Sequence, residues 1–231
     1  MRNTKYIGLI LVIIIFGFIF IPKIVSRITN SNIVESNRSQ SSIPLQYVIL
    51  NGEAKKVPEF AFLNQDSIII SNEDFNKKVY VAEFFFTSCP SICPIMNKNM
   101  KRIENRFGKR QDFGIASFSI DPIKDTPSVL KEYAETYDVF SQNWHFLTGE
   151  KDKIYNLANE GFNIFASVNS RVAGGFEHQG YFALIDKNGF IRCRSDQFGN
   201  PIVYYMGVDE EDIEIQEVDL LIDDIEKLLK E

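Results

Sequence analysis

The chain has few cysteines, few histidines and no excess of positive charge. Three cysteines in 231 residues are too few for a scaffold held together by disulfides. The formal net charge of −6 argues against a nucleic-acid partner, because such proteins carry a clustered basic surface. Apolar residues are abundant instead: 45% of the chain is hydrophobic and 13% is aromatic, which is enough for a packed core.

The longest apolar run lies near the N-terminus, from Tyr6 to Ile21. A bilayer span needs about 17–25 residues, and this run approaches that length if Lys23 reaches back to the interface. No small-x-small cleavage site follows the run, so an uncleaved signal anchor is favoured over a cleaved signal peptide. No cysteine follows it either, so lipoprotein processing is not indicated. Residues 1–28 are therefore predicted to be a transmembrane helix.

A polar segment follows the predicted anchor. Residues 29–45 read TNSNIVESNRSQSSIPL, and their Ser- and Asn-rich composition is typical of a tether. Residues 46–231 are predicted to form the folded domain. A single-pass protein in a bacterial inner membrane, with this domain facing the periplasm, fits the pattern best.

Strand-like and helix-like segments alternate from Tyr47 onward, which predicts an α/β sheet covered by helices. The nearly continuous apolar run at 79–88 is typical of a strand buried on both faces. The other predicted elements are hairpins at 57–75 and 181–193, a second buried strand at 113–121, helices at 95–107, 125–140 and 150–162, and a C-terminal helix that buries Val218, Leu221, Ile222, Ile225, Leu228 and Leu229.

Two cysteines stand in the segment TSCPSICP, residues 87–94, between a predicted strand and a predicted helix. Ligand sites in α/β sheets lie beyond the carboxyl ends of strands, and a helix N-terminus lowers the pKa of a thiol. If 89–93 forms one helical turn, starting at Pro90, the two Cβ atoms lie about 5–6 Å apart. The helix can also start at Pro94. Cys89 and Cys93 are therefore candidates for a redox-active pair that can close to a disulfide, or for two sulfur ligands of one metal ion. The alternative is a pair of buried small residues.

A third metal ligand has to come from a short list, because the chain has two histidines. His178 lies in a Gly-rich loop that enters a strand, and loops on a rigid sheet often carry function. His145 lies in a strand-like segment and is read as structural. Two thiolates and an imidazole form a soft site that suits copper, with zinc as the rival. Met96 and Met100 have the spacing of core residues on a helix.

The segments FFFTSCPSICP, FSIDPIKDTPSVLKEYAETY, WHFLTG and HQGYFALIDKNGFIR, in this order, resemble the Sco/SenC family. These are membrane-anchored, thioredoxin-like copper proteins linked to assembly of the dinuclear copper centre of cytochrome c oxidase. The resemblance runs from about Val57 to the C-terminus. It implies a thioredoxin-like fold, a central mixed sheet flanked by helices, and one copper ion per chain bound by Cys89, Cys93 and His178.

Asp121 and Asp125 match the family's D-P-x-x-D-T-P segment. Asp125, or else Thr126, is first expected to cap the following helix, and both Asp121 and Asp125 are candidates for supporting the metal ligands or contacting a partner. No proline lies between Pro127 and Pro201, so the proline that faces the dithiol in thioredoxins is absent. Its absence favours metal binding over general disulfide exchange.

Two features depart from the family pattern. Cys193 stands where the family often has a small residue, and it is read as a small strand residue that can compete with the pair for oxidation. The second is the acidic insert YYMGVDEEDIEIQEVD before the last helix.

The resemblance leads to two main functional hypotheses. The first is a metallochaperone, not an enzyme, that delivers copper to the copper-accepting subunit of cytochrome c oxidase. The second is a thiol–disulfide oxidoreductase that keeps the copper-ligand cysteines of that target reduced. Other copper chaperones and thioredoxin-like reductants are further expected partners. A redox or copper sensor is a third class, and a peroxidase lacks an evident motif.

Overall fold

The computed structural model describes residues 44–231 except 197, 212 and 214, together with residues 16, 18, 20 and 21. The chain divides into two units, Met1–Asn37 and Arg38–Glu231, and the second contains the folded domain. Most of the predicted anchor, 1–28, and of the tether, 29–45, lies outside the described residues. Among the residues that are described, no helix has both the length and the apolar character needed to cross a membrane.

Strands and helices alternate along the domain. The strands are β1 (Gln46–Tyr47), β2 (Ile49–Leu50), β3 (Glu53–Ala54), β4 (Ala61–Leu63), β5 (Ile69–Ser71), β6 (Val79–Phe85), β7 (Phe113–Ser119), β8 (Trp144–Leu147), β9 (Ala166–Val168), β10 (Phe176–His178), β11 (Tyr181–Ile185), β12 (Ile191–Ser195), β13 (Pro201–Ile202) and β14 (Tyr205–Met206). The helices are α1 (Cys93–Phe107), α2 (Pro127–Thr136), α3 (Lys151–Asn156), which continues as a π-helical segment (Leu157–Phe162), and α4 (Glu217–Lys230), with a 3₁₀ helix at Asn72–Phe75.

The central sheet is mixed, as predicted. Its strand order is β1-β12-β11-β6-β7-β8, with β13 paired to β12 and β14 paired to β11. The pairs β6–β7 and β7–β8 are parallel, and β11, β12 and β1 join the sheet in antiparallel fashion. Parallel strands place their carboxyl ends at one edge, so β6 and β7 both open into the loops where a site was predicted.

The middle strands are buried on both faces. Every residue of β6 and of β7 is buried, which explains why both read as continuous apolar runs in the sequence. The predicted strand 79–88 ends earlier, at Phe85. The backbone N–H of Thr87 donates to the side chain of Asp125, 3.1 Å away, instead of to the neighbouring strand, and this bond turns the chain out of the sheet.

Helix α1 begins at Cys93, so it starts neither at Pro90 nor at Pro94. Ile92 is its N-cap residue and Pro94 lies in its first turn, where the missing N–H of proline costs nothing. Residues 89–92 are not helical, so the expected single turn from Cys89 to Cys93 does not form. The two cysteines approach each other through the loop instead.

The C-terminal helix α4 packs on the sheet as predicted. Four of the six predicted core positions are buried, and Ile222 and Leu229 are half-buried against the same core. A buried ion pair joins the helix to the sheet: Arg194 Nε lies 3.0 Å from Asp224 Oδ2, and the hydroxyl of Tyr205 donates to the same oxygen.

The guanidinium of Arg192 connects the N-terminal and C-terminal segments of the domain. It donates to the carbonyl of Leu45 at 2.7 Å, and it pairs with Asp186 at 3.1 Å and with Glu231, the last residue, at 3.0 Å. The side chains of Arg192 and Asp186 are only 6% and 7% exposed. The segment that precedes β1 and the end of α4 therefore share one buried charge.

Candidate metal centre

Three candidate ligands converge at the carboxyl end of β6. Cys89 lies in the loop after this strand, and Cys93 is the first residue of α1. His178 is the last residue of β10, just before β11. Because β11 pairs with β6 in antiparallel fashion, with Ala183 opposite Ala82, the start of β11 lies beside the end of β6.

The ligand atoms of Cys89, Cys93 and His178 all lie within 4.8 Å of one another. Within this cluster, Cys93 Sγ and His178 Nε2 are 3.3 Å apart. Both cysteines are free thiols; Cys89 is 8% exposed and Cys93 is fully buried. The structure thus brings together all three predicted ligands.

The two thiols are electrostatically coupled. The hydrogen bond from the Cys93 thiol is the main reason that the pKa of Cys89 is lowered, to about 3, against the opposing effect of burial. The same contact with Cys89, together with burial, raises the pKa of Cys93. The helix N-terminus was expected to lower the pKa of these thiols, and the lowered pKa is that of Cys89, which lies in the loop before the first helical residue, Cys93. The contact between the two sulfurs thus makes Cys89 the more acidic thiol of the pair.

The imidazole of His178 is oriented by its own backbone. Its Nδ1 lies 3.2 Å from the carbonyl oxygen of Gln179, so the Nδ1–H donates there. The lone pair of Nε2 then faces Cys93, which is the tautomer that a metal ligand requires. The ring also stands edge-on to Phe86, with the ring centroids 5.8 Å apart.

The ribbon formed by β9 and β10 holds His178 in place. His178 pairs with Ala166 across the ribbon, and the side chain of Asn159 makes two 3.1 Å hydrogen bonds to the backbone of Ala166. Gln179 makes a reciprocal pair of bonds with the backbone of Phe165. The loop predicted around His178 is therefore a short anchored hairpin. Sequence reasoning missed Asn159 and Gln179, since polar residues that bond to distant backbone leave no pattern.

The tip of this ribbon closes over the cysteine loop. Gly174 has φ +88°, and a Cβ atom there would stand 2.8 Å from Phe86 and 3.2 Å from Pro90. Glycine is required for this close approach. Between the tip and the loop is a cleft of about 180 Å³, with Cys89 and His178 in its wall. The candidate metal centre is thus reached from the side of the ribbon.

Asp125 supports the cysteine loop and does not cap α2, which corrects the first reading of this residue. The N-cap position belongs to Thr126, whose side chain makes no capping bond. The buried carboxylate of Asp125 accepts three hydrogen bonds, from the Thr87 N–H at 3.1 Å, the Thr87 hydroxyl at 2.5 Å and the Ser119 hydroxyl at 2.5 Å. It therefore fixes the segment two residues before Cys89.

Asp121 is buried near the same edge of the sheet. Its carboxylate lies 3.5 Å from the ammonium group of Lys124, and Oδ2 has no hydrogen-bond partner. Within the described part of the chain, no hydrogen bond or ion pair links Asp121 to the three candidate ligands. Its expected role beside them or at a partner surface stays a prediction.

His145, Cys193, Met96 and Met100 lie outside the cluster of candidate ligands. His145 is in β8, where burial lowers its pKa and Asn64 is its hydrogen-bond neighbour. Cys193 is fully buried in β12, opposite Gln46, and burial raises its pKa. Met96 and Met100 are buried in the core, as their spacing predicted. None of these residues belongs to the cluster of Cys89, Cys93 and His178.

Strand β6 contains a buried glutamate that the sequence analysis did not identify. Glu83 is fully buried, and burial raises the pKa of its carboxyl to about 7. One oxygen accepts from the Ser117 hydroxyl at 2.7 Å, and the other has no hydrogen-bond partner. The one signal in the sequence was a single acid within a run of apolar residues.

The comparisons with known proteins agree with the geometry. The SCO1/SenC family model matches residues 50–210. A SCO1 protein homolog of Bacillus subtilis is 34% identical over 138 residues, which covers 58% of this chain and 70% of the relative.

Solved structures of similar proteins have the same fold. A SCO1/SenC family lipoprotein from Bacillus anthracis aligns with a TM-score of 0.63 at 28% identity, covering 76% of this chain and 95% of that one. BsSco, described as a cytochrome c oxidase assembly protein of the Sco family with a disulfide switch, aligns with a TM-score of 0.61 at 31% identity, covering 75% and 93%. Copper-bound yeast Sco1 shares the fold, with a TM-score of 0.55 at 20% identity and coverage of 76% and 89%. These alignments confirm the thioredoxin-like α/β fold.

Proposed function

Because the chain belongs to the SCO1/SenC family, we propose that it is a copper metallochaperone. It binds one copper ion per chain through Cys89, Cys93 and His178. It delivers the ion to the dinuclear copper centre of cytochrome c oxidase, and its partner is the copper-accepting subunit. Other copper chaperones and thioredoxin-like reductants are the expected suppliers of metal and electrons.

The convergence of three soft ligand atoms carries this proposal. Metal–sulfur and metal–nitrogen bonds of about 2.3 and 2.0 Å, as in zinc sites, place two ligands of one ion within about 4.5 Å of each other. The 4.8 Å limit of the cluster is close to that distance, so small side-chain movements suffice. Two sulfurs favour Cu(I), and the imidazole nitrogen adds a ligand that also suits Cu(II).

The polypeptide prepares the site in three ways. The contact with Cys93 lowers the pKa of Cys89, so this sulfur gives up its proton readily to become a metal ligand. The Gln179 carbonyl keeps the Nε2 lone pair of His178 turned toward the sulfurs. The cleft beside Cys89 and His178 leaves one side open for the ligands of the acceptor, so the ion can pass between two sets of thiolates.

The same sulfurs support a second candidate function. In a thiol–disulfide oxidoreductase, Cys89 and Cys93 form a disulfide and pass two electrons and two protons to a disulfide of the target. The coupling of the two thiols supports this function, because a low-pKa thiolate beside a second thiol is the reactive arrangement. His178 separates the two functions, since copper binding uses its imidazole and disulfide exchange does not require it.

The proposed location follows from the N-terminal sequence. Residues 1–28 anchor the protein in the bacterial inner membrane as a single span, residues 29–45 form a tether, and the domain of residues 46–231 faces the periplasm. The apolar run from Tyr6 to Ile21 and the polar segment of residues 29–45 support this arrangement.

The test is anaerobic loading of the reduced full-length protein with Cu(I) in detergent, followed by transfer to a copper-free acceptor subunit. We expect one copper per chain, tight enough to resist an excess of zinc, and transfer to the acceptor. His178→Ala is compared with His145→Ala, because His145 lies in β8 outside the cluster. Unchanged Cu(II) binding in the His178 variant after oxidation of the bound copper, or loss of copper binding in both variants, would overturn the assignment of the site. Copper binding without transfer, with rapid reduction of an acceptor disulfide, would favour the oxidoreductase.

A further inference from the structure

Basic side chains gather at the end of the domain opposite the metal centre. Lys78 immediately precedes β6, and Lys77 donates its backbone N–H to the carbonyl of Lys187 in the β11–β12 turn. Lys56 packs on the same turn, with its Cε atom 3.3 Å from the position of a Cβ on Gly189. Lys109 lies just before β7, at the same end of the parallel strands. Five lysines thus share one end of the sheet.

The acidic groups nearby are mostly engaged with arginines. Arg110 binds Asp112 with two 2.8 Å hydrogen bonds, and Arg192 pairs with Asp186 and Glu231. Glu53, Glu73 and Asp74 remain as exposed acids of this end. Among the described residues, Lys56, Lys77 and Lys109 form no ion pair, so this end is positive although the chain carries −6 overall.

A short hairpin adds exposed apolar groups to the positive end. Strands β2 and β3 pair as a hairpin beside Lys55 and Lys56. Ile49 and Leu50 on this hairpin are 61% and 45% exposed. Together, Lys56, Lys77, Lys109, Lys187, Ile49 and Leu50 form what we call the basal surface. Lysines around exposed aliphatic side chains match the two layers of a membrane interface, the anionic headgroups and the upper acyl chains.

The chain length before the domain keeps the domain near a bilayer, given the proposed anchor. Residues 22–43 separate the apolar run from Pro44, where the described domain begins. A polar linker of that length has a root-mean-square span of about 25 Å. A domain of this size has a radius of gyration of about 16 Å, so a domain tethered in this way has one of its faces at or near the lipid.

We propose that the basal surface lies on the anionic lipid headgroups of the membrane and turns the metal centre away from it. The proposal rests on the anchor under the proposed function. Strand β6 runs seven residues from the basal surface toward the cysteine loop, a distance of about 20 Å. The cleft beside Cys89 and His178 therefore opens on the side away from the lipid, where an acceptor can reach it.

Lysine acylation followed by mass spectrometry tests this orientation. Full-length protein is reconstituted in nanodiscs of phosphatidylcholine alone or of equimolar phosphatidylcholine and phosphatidylglycerol. We expect Lys56, Lys77 and Lys109 to react several-fold more slowly in the anionic discs at low salt, and to recover at high salt. Exposed lysines toward the other end, Lys98 and Lys124, are internal references and should react equally in both discs.

A variant separates orientation from general adsorption. Replacing Lys56, Lys77 and Lys109 together by glutamine should restore the reactivity of Lys187 in anionic discs. Equal reactivity of the basal lysines in both discs would overturn the proposal, as would equal protection of Lys98. Protection that appears only when an acidic protein is added would assign the surface to a protein and not to lipid. Protein that fails to remain in either disc would refute the anchor, and with it this orientation, while leaving the copper site intact.

Discussion

Cys93 Sγ and His178 Nε2 lie 3.3 Å apart although 85 positions separate the two residues in the chain. The contact follows from the antiparallel pairing of β11 with β6, which brings the start of one strand to the end of the other. The cysteines are positioned by the loop and helix that follow β6, whereas the histidine is positioned by the pairing of strands in the sheet. Because this pairing uses backbone hydrogen bonds, replacing one ligand side chain tests the site and leaves the fold in place.

Replacing either cysteine of the pair should abolish tight copper binding. In Cys89→Ser or Cys93→Ser, one thiolate of two is lost, and a serine hydroxyl is a poor ligand for Cu(I). We expect affinity for Cu(I) to fall by at least about 100-fold, measured by competition with a chromophoric chelator. Cys193→Ser is the matched control, because this thiol is buried in β12 outside the cluster. Full affinity in either of the first two variants would refute the ligand set.

The His178→Ala variant should distinguish the two oxidation states of copper. Two thiolates can hold Cu(I) without an imidazole, whereas Cu(II) prefers a nitrogen ligand in addition. We expect the affinity for Cu(II) to fall by about 100-fold and that for Cu(I) by about tenfold or less. Titration of both ions, with the Cu(II)–thiolate absorption band as a second readout, measures the difference. Equal losses for the two ions would contradict this reasoning.

The carboxylate of Asp125 should matter more than that of Asp121. Asp125→Ala leaves the Thr87 N–H and two hydroxyl groups without their acceptor, which should cost about 3 kcal/mol of unfolding free energy and speed copper release. Asp121→Ala removes a 3.5 Å ion pair with a largely exposed lysine, so about 1 kcal/mol is expected. Urea unfolding and the copper dissociation rate are measured for both. Similar effects of the two substitutions would argue against support of the cysteine loop by Asp125.

The buried carboxyl of Glu83 should make stability fall as the pH rises. Its pKa is about 7 in the folded state and about 4.3 in the unfolded chain, so between these values the folded state holds a proton that the unfolded state has released. Stability should therefore drop between about pH 5 and pH 7, by about 3 kcal/mol in total. Glu83→Gln, which resembles the protonated acid, should remove this drop.

Glu104→Gln is the matched control for that experiment. Glu104 is also fully buried, but its carboxylate accepts the N–H groups of Phe140 and Ser141 and pairs with Lys101. Its substitution should cost about 2 kcal/mol at pH 5 and at pH 8 alike. Urea midpoints at the two pH values measure both variants. A Glu83→Gln curve parallel to the wild-type curve would show that Glu83 does not titrate in this range.

The fold could be predicted where burial dictates the residue pattern. The apolar run of β6, the helix after the cysteines and the hairpin with its turn near Gly189 all follow from periodicity and turn residues. The end of β6 could not be predicted, because it depends on a hydrogen bond from Thr87 to Asp125, 38 positions away. The cap prediction for Asp125 was wrong for the same reason, since its position favours a cap while its hydrogen-bond partners are Thr87, after β6, and Ser119, in β7.

The site could be predicted in its ligands but not in its supports. Cys89 and Cys93 stand out by their spacing and their prolines, and His178 stands out because the chain has two histidines. Asn159 and Gln179 hold the histidine ribbon through bonds to backbone atoms, which any sequence offers equally. The sequence also does not tell which thiol has the lower pKa, because this depends mainly on the hydrogen bond between the two sulfurs.

The guanidinium of Arg192 couples local unfolding of the N-terminal segment of the domain to local unfolding of its C-terminal helix. If the last turn of α4 melts, Glu231 leaves, and if the segment before β1 peels away, the bond to the Leu45 carbonyl is lost. Either event leaves a charge that is only 6% exposed with fewer partners than it needs. The attachment point of the tether and the final helix are thus one cooperative unit, and local melting at one end is felt at the other.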